Sequence, residues 1–318
     1  MKKKIIEQII DNKSYGIKEY VIKLNNEINN MGYIGLIKNF DNKLDKGSIK
    51  IFHYSNSTRK ILLPLIKSNE KNMVIIHDII PRSKAIRFLG IALMFIVNLK
   101  SNRIIVHSQF AKKLLLKKYP FIRSNKISII PLGTNIFRYN QNYERNRLKF
   151  NNKKIYLLMA GRLDRKLKNF KLINFFKKIK SKKVELIIIG KSDEDYTNII
   201  NKDNRIKYLG FIENSLLDQY FKACDGIIFY REDSVGETSG AIALGLSYKK
   251  PILFSDIGSI KEYVDGAGIS FDNNEKDVII KINSFIDNKN LRNKMEKNSD
   301  LLRNKYSMER VIKTLIKK

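Results

Sequence analysis

Short runs of Ile, Val and Leu recur along the chain, separated by stretches in which apolar residues return every three or four positions. Uninterrupted apolar runs are the signature of parallel strands covered on both faces, and the intervening period is that of helices. The pattern predicts strands near 3–10, 33–38, 49–54, 73–77, 103–107 and 127–131. A second series follows near 154–160, 184–190, 205–209, 226–230 and 251–255. Helices are predicted between them, for example over 18–31, 169–180 and 215–223. The stretch 135–152, "NIFRYNQNYERNRLKFNN", is polar and almost free of apolar periodicity, so it reads as a connector. The expected fold class is therefore α/β, with two Rossmann-like doubly wound domains and a ligand cleft between them at the carboxyl ends of the strands. The boundaries drawn are 1–135 for the first domain, 136–152 for the linker, 153–304 for the second domain and 305–318 for a C-terminal helix.

Length and composition narrow the class. With 318 residues, 43% of them hydrophobic and 29% charged, the chain can bury two cores and is not a disordered polymer. A single cysteine, Cys224, excludes a disulfide framework and fits a reducing compartment; it reads as a packing residue. The opening "MKKKIIEQIIDNKSYG" is basic but has neither a long apolar core nor a small-residue cleavage site, so no secretory leader is expected. The longest apolar run, Phe88 to Val97, is half of what a spanning helix needs.

Charge changes the picture more. The formal net charge is +31, with 29 Lys/Arg against nine Asp/Glu in residues 1–150. Such a field attracts phosphorylated ligands, anionic lipid or nucleic acid. Nucleic acid is the weakest of the three, because no zinc-finger spacing, RNA-binding aromatic signature or basic recognition helix is present.

Two stretches carry chemistry. In "YLLMAGRLDRKLKNFKLINFF", 156–176, a strand ends at Gly161 and is followed by Arg162, Arg165, Lys166 and Lys168 before a helix, so cations stand where a doubly wound domain presents a turn to a diphosphate. Alone, the charges would suit an ordinary solvated loop. In "REDSVGETSGAIALGLSYKKPIL", 231–253, Glu237, Thr238, Ser239 and Gly240 precede an apolar helix whose first-turn amides can cradle phosphate or sugar oxygens, and Glu237 can accept bonds from sugar hydroxyls. The plainer alternative is a helix cap.

Six motifs in order give these stretches a context: "HD" at 77–78, "IIVHSQFAKKLL" at 104–115, "ISIIPLGTN" at 127–135, "AGRLDRKLKN" at 160–169, "YLGFIENSLLDQYFKACD" at 208–225 and "SGAIALGLSYKKPILFSDIGSIKE" at 239–262. From Gly16 to about Arg310 the chain resembles glycosyltransferase family 4. The resemblance implies a GT-B fold, a nucleotide-diphosphate sugar held mainly by the second domain, retention at the anomeric carbon, and neither cofactor nor metal. It gives Arg162 and Lys168 the part of the phosphate-binding pair, although the spacing is one residue long and Lys166 is the alternative. Gly16 matches the glycine that approaches the donor phosphates, and His77 the histidine near the reacting sugar. Phe211 and Ile212 fall where the base-binding loop runs, and Ala241 completes the donor loop after Gly240. One departure is clear: where many members carry a second glutamate for the ribose, Gly245 follows Glu237 by eight places, and alignment on Pro251 instead puts Leu244 there and Gly236 at the first acid. His53 and His107 are read as structural.

The implied activity is a retaining, hexosyltransferase-type transfer from a nucleotide sugar to a glycan or lipid-linked acceptor in cell-surface glycan assembly, by a cytoplasmic enzyme peripheral to the inner face of the plasma membrane. Lys112, Lys113, Lys117 and Lys118 flank a Leu-rich stripe over 110–118, which fits an interfacial helix as well as a core one, whereas 87–97 fits a core helix better. The competing readings are a metal-dependent transferase using Asp193 and Asp195 of "SDEDY", a sugar-nucleotide epimerase of the same fold, and a non-enzymatic nucleic-acid binder.

Overall fold

The computed structural model describes residues 3–11, 15–56, 59–68, 70, 72–81, 87–163, 169–192, 200, 202–234 and 236–317, without the side chains of Tyr15, Arg87 and Phe88. The chain divides into two compact units: Met1–Gly133 with Val235–Gly240 and Tyr306–Lys318, and Thr134–Ser234 with Ala241–Lys305.

The first unit is a six-stranded sheet of β1 (Ile5–Ile10), β2 (Ile34–Asn39), β3 (Ile49–Tyr54), β4 (Asn72–Ile76), β5 (Arg103–Val106) and β6 (Ile127–Ile129), ordered β2-β1-β3-β4-β5-β6 with every pair parallel. The order reverses at β1, so the crevice of this sheet opens beyond the carboxyl ends of β1 and β3. One layer of helices is α2 (Leu62–Lys67), α3 (Arg87–Lys100) and α4 (Gln109–Lys118), whose Leu62, Leu65, Met94, Val97, Ala111 and Leu115 share a core with Phe52, Val74 and Ile104 of the strands. The opposite face is covered by α1 (Tyr15–Asn30) and by Met308–Ile316 (α12), which meet Ile6, Ile51, Ile75 and Ile105 through Leu24, Ile28, Val311 and Ile312. Helix α12 is thus an integral part of this core, and Arg103 anchors it by donating to the Thr314 and Leu315 carbonyls at 3.0 Å.

The second unit repeats the plan. Its strands are β7 (Ile155–Ala160), β8 (Val184–Ile189), β9 (Ile206–Tyr208), β10 (Gly226–Phe229), β11 (Ile252–Ser255) and β12 (Gly268–Phe271), ordered β12-β11-β10-β7-β8-β9, again all parallel. The switch point lies between β7 and β10. The helices are α5 (Gln141–Arg147), α6 (Lys171–Lys177), α7 (Asn214–Ala223), α8 (Gly240–Ser247), α9 (Ile260–Val264), α10 (Glu275–Asp287) and α11 (Lys289–Lys305).

Eleven of the twelve strands fall where the apolar runs place them. Two features differ from the sequence reading. Strand β12, "GISF", is a half-buried edge strand with a glycine and a serine, too short and too polar to show as an apolar run. Residues 136–152, set apart as a connector, contain α5 and belong to the second unit. Helix α5 needs little apolar periodicity because polar contacts hold it. Asn140 caps its start by accepting from the Tyr143 amide, and the buried Arg145 pairs with Asp225 at 3.0 Å while donating to the Lys154 carbonyl.

At the carboxyl ends of β7, β8 and β9 stand Gly161, Gly190 and Gly210, all with positive φ. Gly190 donates to the Gly210 carbonyl at 2.7 Å, and a Cβ built on it would lie 1.9 Å from the Gly161 carbonyl oxygen. That neighbour is backbone and has no rotamer to change. Gly190→Ala is therefore expected to destabilise the second unit by roughly 2 kcal/mol or more, read as an earlier denaturant midpoint; an unchanged midpoint would show that the strand ends can part freely.

Candidate functional site

The first unit brings all three histidines of the chain together. His53 lies in β3, His77 directly follows β4, and His107 directly follows β5. The register His53↔Ile75 and Ile75↔Ile105, with alternation along each strand, puts the three side chains on the same face as the Ile51, Ile75 and Ile105 core, at its carboxyl-end rim. The His53 and His77 rings stack with centroids 5.5 Å apart, His77 and His107 lie 5.2 Å apart, and Tyr20 of α1 meets all three edge-on at 6.0–6.3 Å.

The hydrogen bonds fix every proton in this array. His107 Nδ1 is 2.9 Å from the Ile130 carbonyl, which can only accept, so Nδ1 carries the hydrogen and Nε2 is left as an acceptor. His77 Nδ1, 3.4 Å away, must donate to that Nε2, which leaves His77 Nε2 to accept from His53 Nδ1 at 3.2 Å. The run ends at His53 Nε2, a buried lone pair with no hydrogen-bond partner among the described residues. Both ring nitrogens of His77 are thus engaged by other histidines.

Desolvation keeps the array neutral. Burial, with His107 nearby, lowers His53 to about 3; burial lowers His107 to about 4 against the opposing pull of the Ile130 carbonyl; His77 is held well below 6.5 by burial and by both neighbours. The phenol of Tyr20 is raised by burial. The sequence carried a signal for this grouping, since "IFHY", "VIIHD" and "IIVHS" each set a histidine at the end of a consecutive apolar strand.

Beside the array, Asp78 accepts from the Asn56 amide at 2.7 Å and ties the loop after β4 to that after β3. Gly16 is the second residue of α1, exposed, with nothing among the described residues within 4 Å of where a Cβ would stand. Val235–Gly240 clusters with this unit, and Gly236, with φ +89°, packs so closely on Ile79 and Leu114 that a Cβ would lie 2.5 Å from Ile79 Cγ1. Glu237 and Thr238 are half-buried and Ser239 is buried, while Gly240, the first residue of α8, is exposed with open space around it. On α4, Lys113, Lys117 and Lys118 are exposed and Lys112 is half-buried; Leu115 is buried, and Leu114 and Leu116 pack against the core, so the Leu-rich stripe faces inward.

In the second unit, Arg162 is exposed immediately after Gly161, at the switch point between β7 and β10. The buried Asn169 donates to its carbonyl at 2.7 Å, and the buried Leu163 bridges to Ser192, so both ends of the basic loop are fastened. Lys166 and Lys168, and likewise Asp193 and Asp195, lie outside the described residues. At the end of β9, Phe211 is about half exposed, with Lys191 Nζ 5.2 Å above its ring, and Ile212 beside it is half-buried. Glu232, one of the two acids ahead of the Gly-Glu-Thr-Ser-Gly stretch, is paired with Lys171 at 2.6 Å and accepts from Tyr230. Ala241 is half-buried on α8. Gly245 faces Ile227 and Ile252 so closely that a Cβ would meet them at 2.8–2.9 Å. A carboxylate there would be driven into apolar core.

Cys224 is buried just past the end of α7, with its thiol pushed up to about 12 by burial, and is inert packing. Among the described residues no group of three or more His, Cys, Asp or Glu is placed to hold a metal ion.

The array yields a pH prediction. A histidine whose folded pKa is depressed leaves the folded state with fewer protons than the unfolded one below 6.5, so stability falls as pH falls. Unfolding free energy should decline between pH 6.5 and 5 with a slope approaching three protons, before most carboxylates titrate. In labelled protein the three histidine ring signals should keep neutral, Nδ1–H shifts throughout that window. A signal titrating near 6.5 would contradict the buried array.

The family model of the glycosyl transferases group 1 matches residues 140–301. No curated protein matches the sequence. Among solved structures, a glycosyltransferase from Rickettsia africae ESF-5 superposes with a TM-score of 0.76 at 16% identity, over 99% of this chain and 97% of that one. Anabaena Alr3699/HepE in complex with UDP-glucose gives 0.76 at 16% identity, over 98% and 99%. WaaG, a glycosyltransferase involved in lipopolysaccharide biosynthesis, gives 0.71 at 10% identity, over 98% of each chain. At such identities the likeness is one of fold, and the fold of two six-stranded parallel sheets is GT-B.

Proposed function

The chain belongs to the glycosyl transferases group 1, and on that premise we propose that it moves a sugar, with retention, from a nucleotide-diphosphate donor to a glycan or lipid-linked acceptor. The observation that carries the reading is the exposed Arg162 directly after Gly161 at the switch point of the second sheet, on a loop fastened at both ends. UDP-glucose bound to the Anabaena relative supports a nucleotide sugar as donor.

Breaking the bond between the anomeric carbon and the diphosphate builds negative charge on the leaving phosphate. Fixed cations aimed at that charge lower the barrier without reorganising. Arg162 is assigned this part, with Lys168, or Lys166 in the alternative register, as its companion. The amides of Ser239, Gly240 and Ala241 and the Thr238 hydroxyl are donors for phosphate or sugar oxygens, and Glu237 accepts from sugar hydroxyls. Phe211 and Ile212 receive the base. Gly16 lets the donor phosphates approach α1, where a side chain would intrude. His77, with both ring nitrogens engaged, offers the sugar a neutral surface and backbone, and does not serve as a titrating base. Retention follows if the acceptor hydroxyl attacks from the face the phosphate leaves. The basic first unit favours an acceptor at the inner surface of an anionic membrane; among the described residues no helix is long and apolar enough to cross one.

Arg162→Ala is expected to slow transfer on the order of 100- to 1000-fold with an unchanged melting temperature; near-normal turnover would remove the diphosphate assignment. Gly16→Ala sharpens the test. The chain has room for the methyl and helix propensity favours it by up to about 1 kcal/mol, so stability should hold or rise while transfer falls, and full activity would show that no ligand comes close.

The reading asks for no divalent ion, so turnover should survive EDTA. Loss restored by manganese or magnesium would move the chemistry to Asp193 and Asp195.

A further inference from the structure

The sequence pattern of helix α3 suits a core better than a surface, yet the helix turns a row of large apolar side chains outward. Ile91, Phe95 and Leu99 recur at i, i+4 and i+8, with Phe95 50% and Leu99 64% exposed, and Leu89 stands exposed near the start of the same helix. Met94, Val97 and Gly90 take the inward side. Helix α2, packed beside α3, adds exposed Leu63 and Ile66. A contiguous apolar face of this kind is unusual on a water-facing layer.

The three helices of this layer carry charges of one sign. Helices α2, α3 and α4 lie in one layer on the same core, and none of the three contains an acidic residue. No Asp or Glu occurs anywhere from Ile79 to Tyr143. On α2 Lys67 is exposed at the edge, and on α4 Lys113, Lys117 and Lys118 are exposed. The apolar row is therefore flanked by lysines, the arrangement of a surface whose centre enters the acyl boundary while its edges meet anionic headgroups. A second copy of the chain fits poorly, because it would set one lysine flank against another.

We propose that the outer side of the α2–α3–α4 layer docks on an anionic lipid bilayer, with Phe95 and Leu99 inserted and the α4 lysines on the headgroups. This rests on the reading of the protein as a transferase whose acceptor is held at a membrane. It relocates the contact from the Leu stripe of α4, which faces inward, to α3.

The chain has no tryptophan, so Phe95→Trp makes a single reporter on the row, and Leu301→Trp, on an exposed position of α11, a control. With vesicles of equal parts phosphatidylcholine and phosphatidylglycerol, Phe95→Trp emission should shift to the blue, and phosphatidylcholine alone should give little; the control should not shift. Phe95→Ser/Leu99→Ser should weaken co-sedimentation about tenfold or more, and Lys113, Lys117 and Lys118 changed to Glu should abolish the preference for anionic lipid. Binding by the wild type that the Ser pair leaves intact would overturn the docking face while sparing the peripheral reading. No wild-type binding to either vesicle would overturn both. A lipid-free shift that grows with protein concentration, with a dimer in sedimentation, would make a second copy the occupant and overturn the proposal. Transfer to a soluble acceptor, measured on the same variants, should be unchanged, and its absence in the wild type would count against the transferase reading alone.

Discussion

A strand with helices on both faces buries the side chains on both of its sides, so groups that must reach a ligand are best placed where it ends. Both sheets of this protein are parallel and doubly covered, and β8 is buried at all six positions. The consequence runs through the molecule. His77, His107, Arg162 and Phe211 all stand at or just beyond the carboxyl ends of strands, and each sheet has a switch point where neighbouring loops diverge. The strands fix these places; the loops supply the groups.

The histidine array shows what that constraint costs and what it gives. Three imidazoles at a buried rim would repel one another if protonated, and desolvation already disfavours the charged form, so both effects push the same way. One carbonyl, that of Ile130, then sets the direction of every N–H in the series. A lone pair at His53 Nε2 without a partner among the described residues is the outcome of that ordering, since a series of donors anchored at one acceptor must finish on another. The rim is neutral, which would suit the proposed sugar donor better than the movement of a proton.

How much of this was legible in the sequence follows from what each element depends on. Strands such as "VELIII" depend on burial and announce themselves, whereas β12 lies at an edge and mixes Gly and Ser with its apolar residues. Helix α5 depends on Asn140, Arg145 and Asp225, a cap and a long-range ion pair that periodicity does not register. Helix α3 is apolar nearly all round, so its pattern could not say which side faces water. The basic loop after β7 was legible from Gly161 and Arg162. The grouping of His53 with His77 and His107 was hidden by separations of 24 and 30 residues, although all three lie on one face of the sheet near its carboxyl edge.

The glycines divide into two kinds, and the division separates what the fold requires from what it leaves open. At Gly190 and Gly245 a Cβ would strike the chain's own atoms, backbone in one case and the Ile227 and Ile252 side chains in the other. These positions answer to packing. At Gly16 and Gly240 the same Cβ meets nothing within 4 Å among the described residues, and both lie in the first turn of a helix. Open space at both positions is what the proposed donor site requires. Both positions stand at helix starts, where the helix dipole favours negative charge, so the diphosphate of the proposed donor would meet a favourable field there.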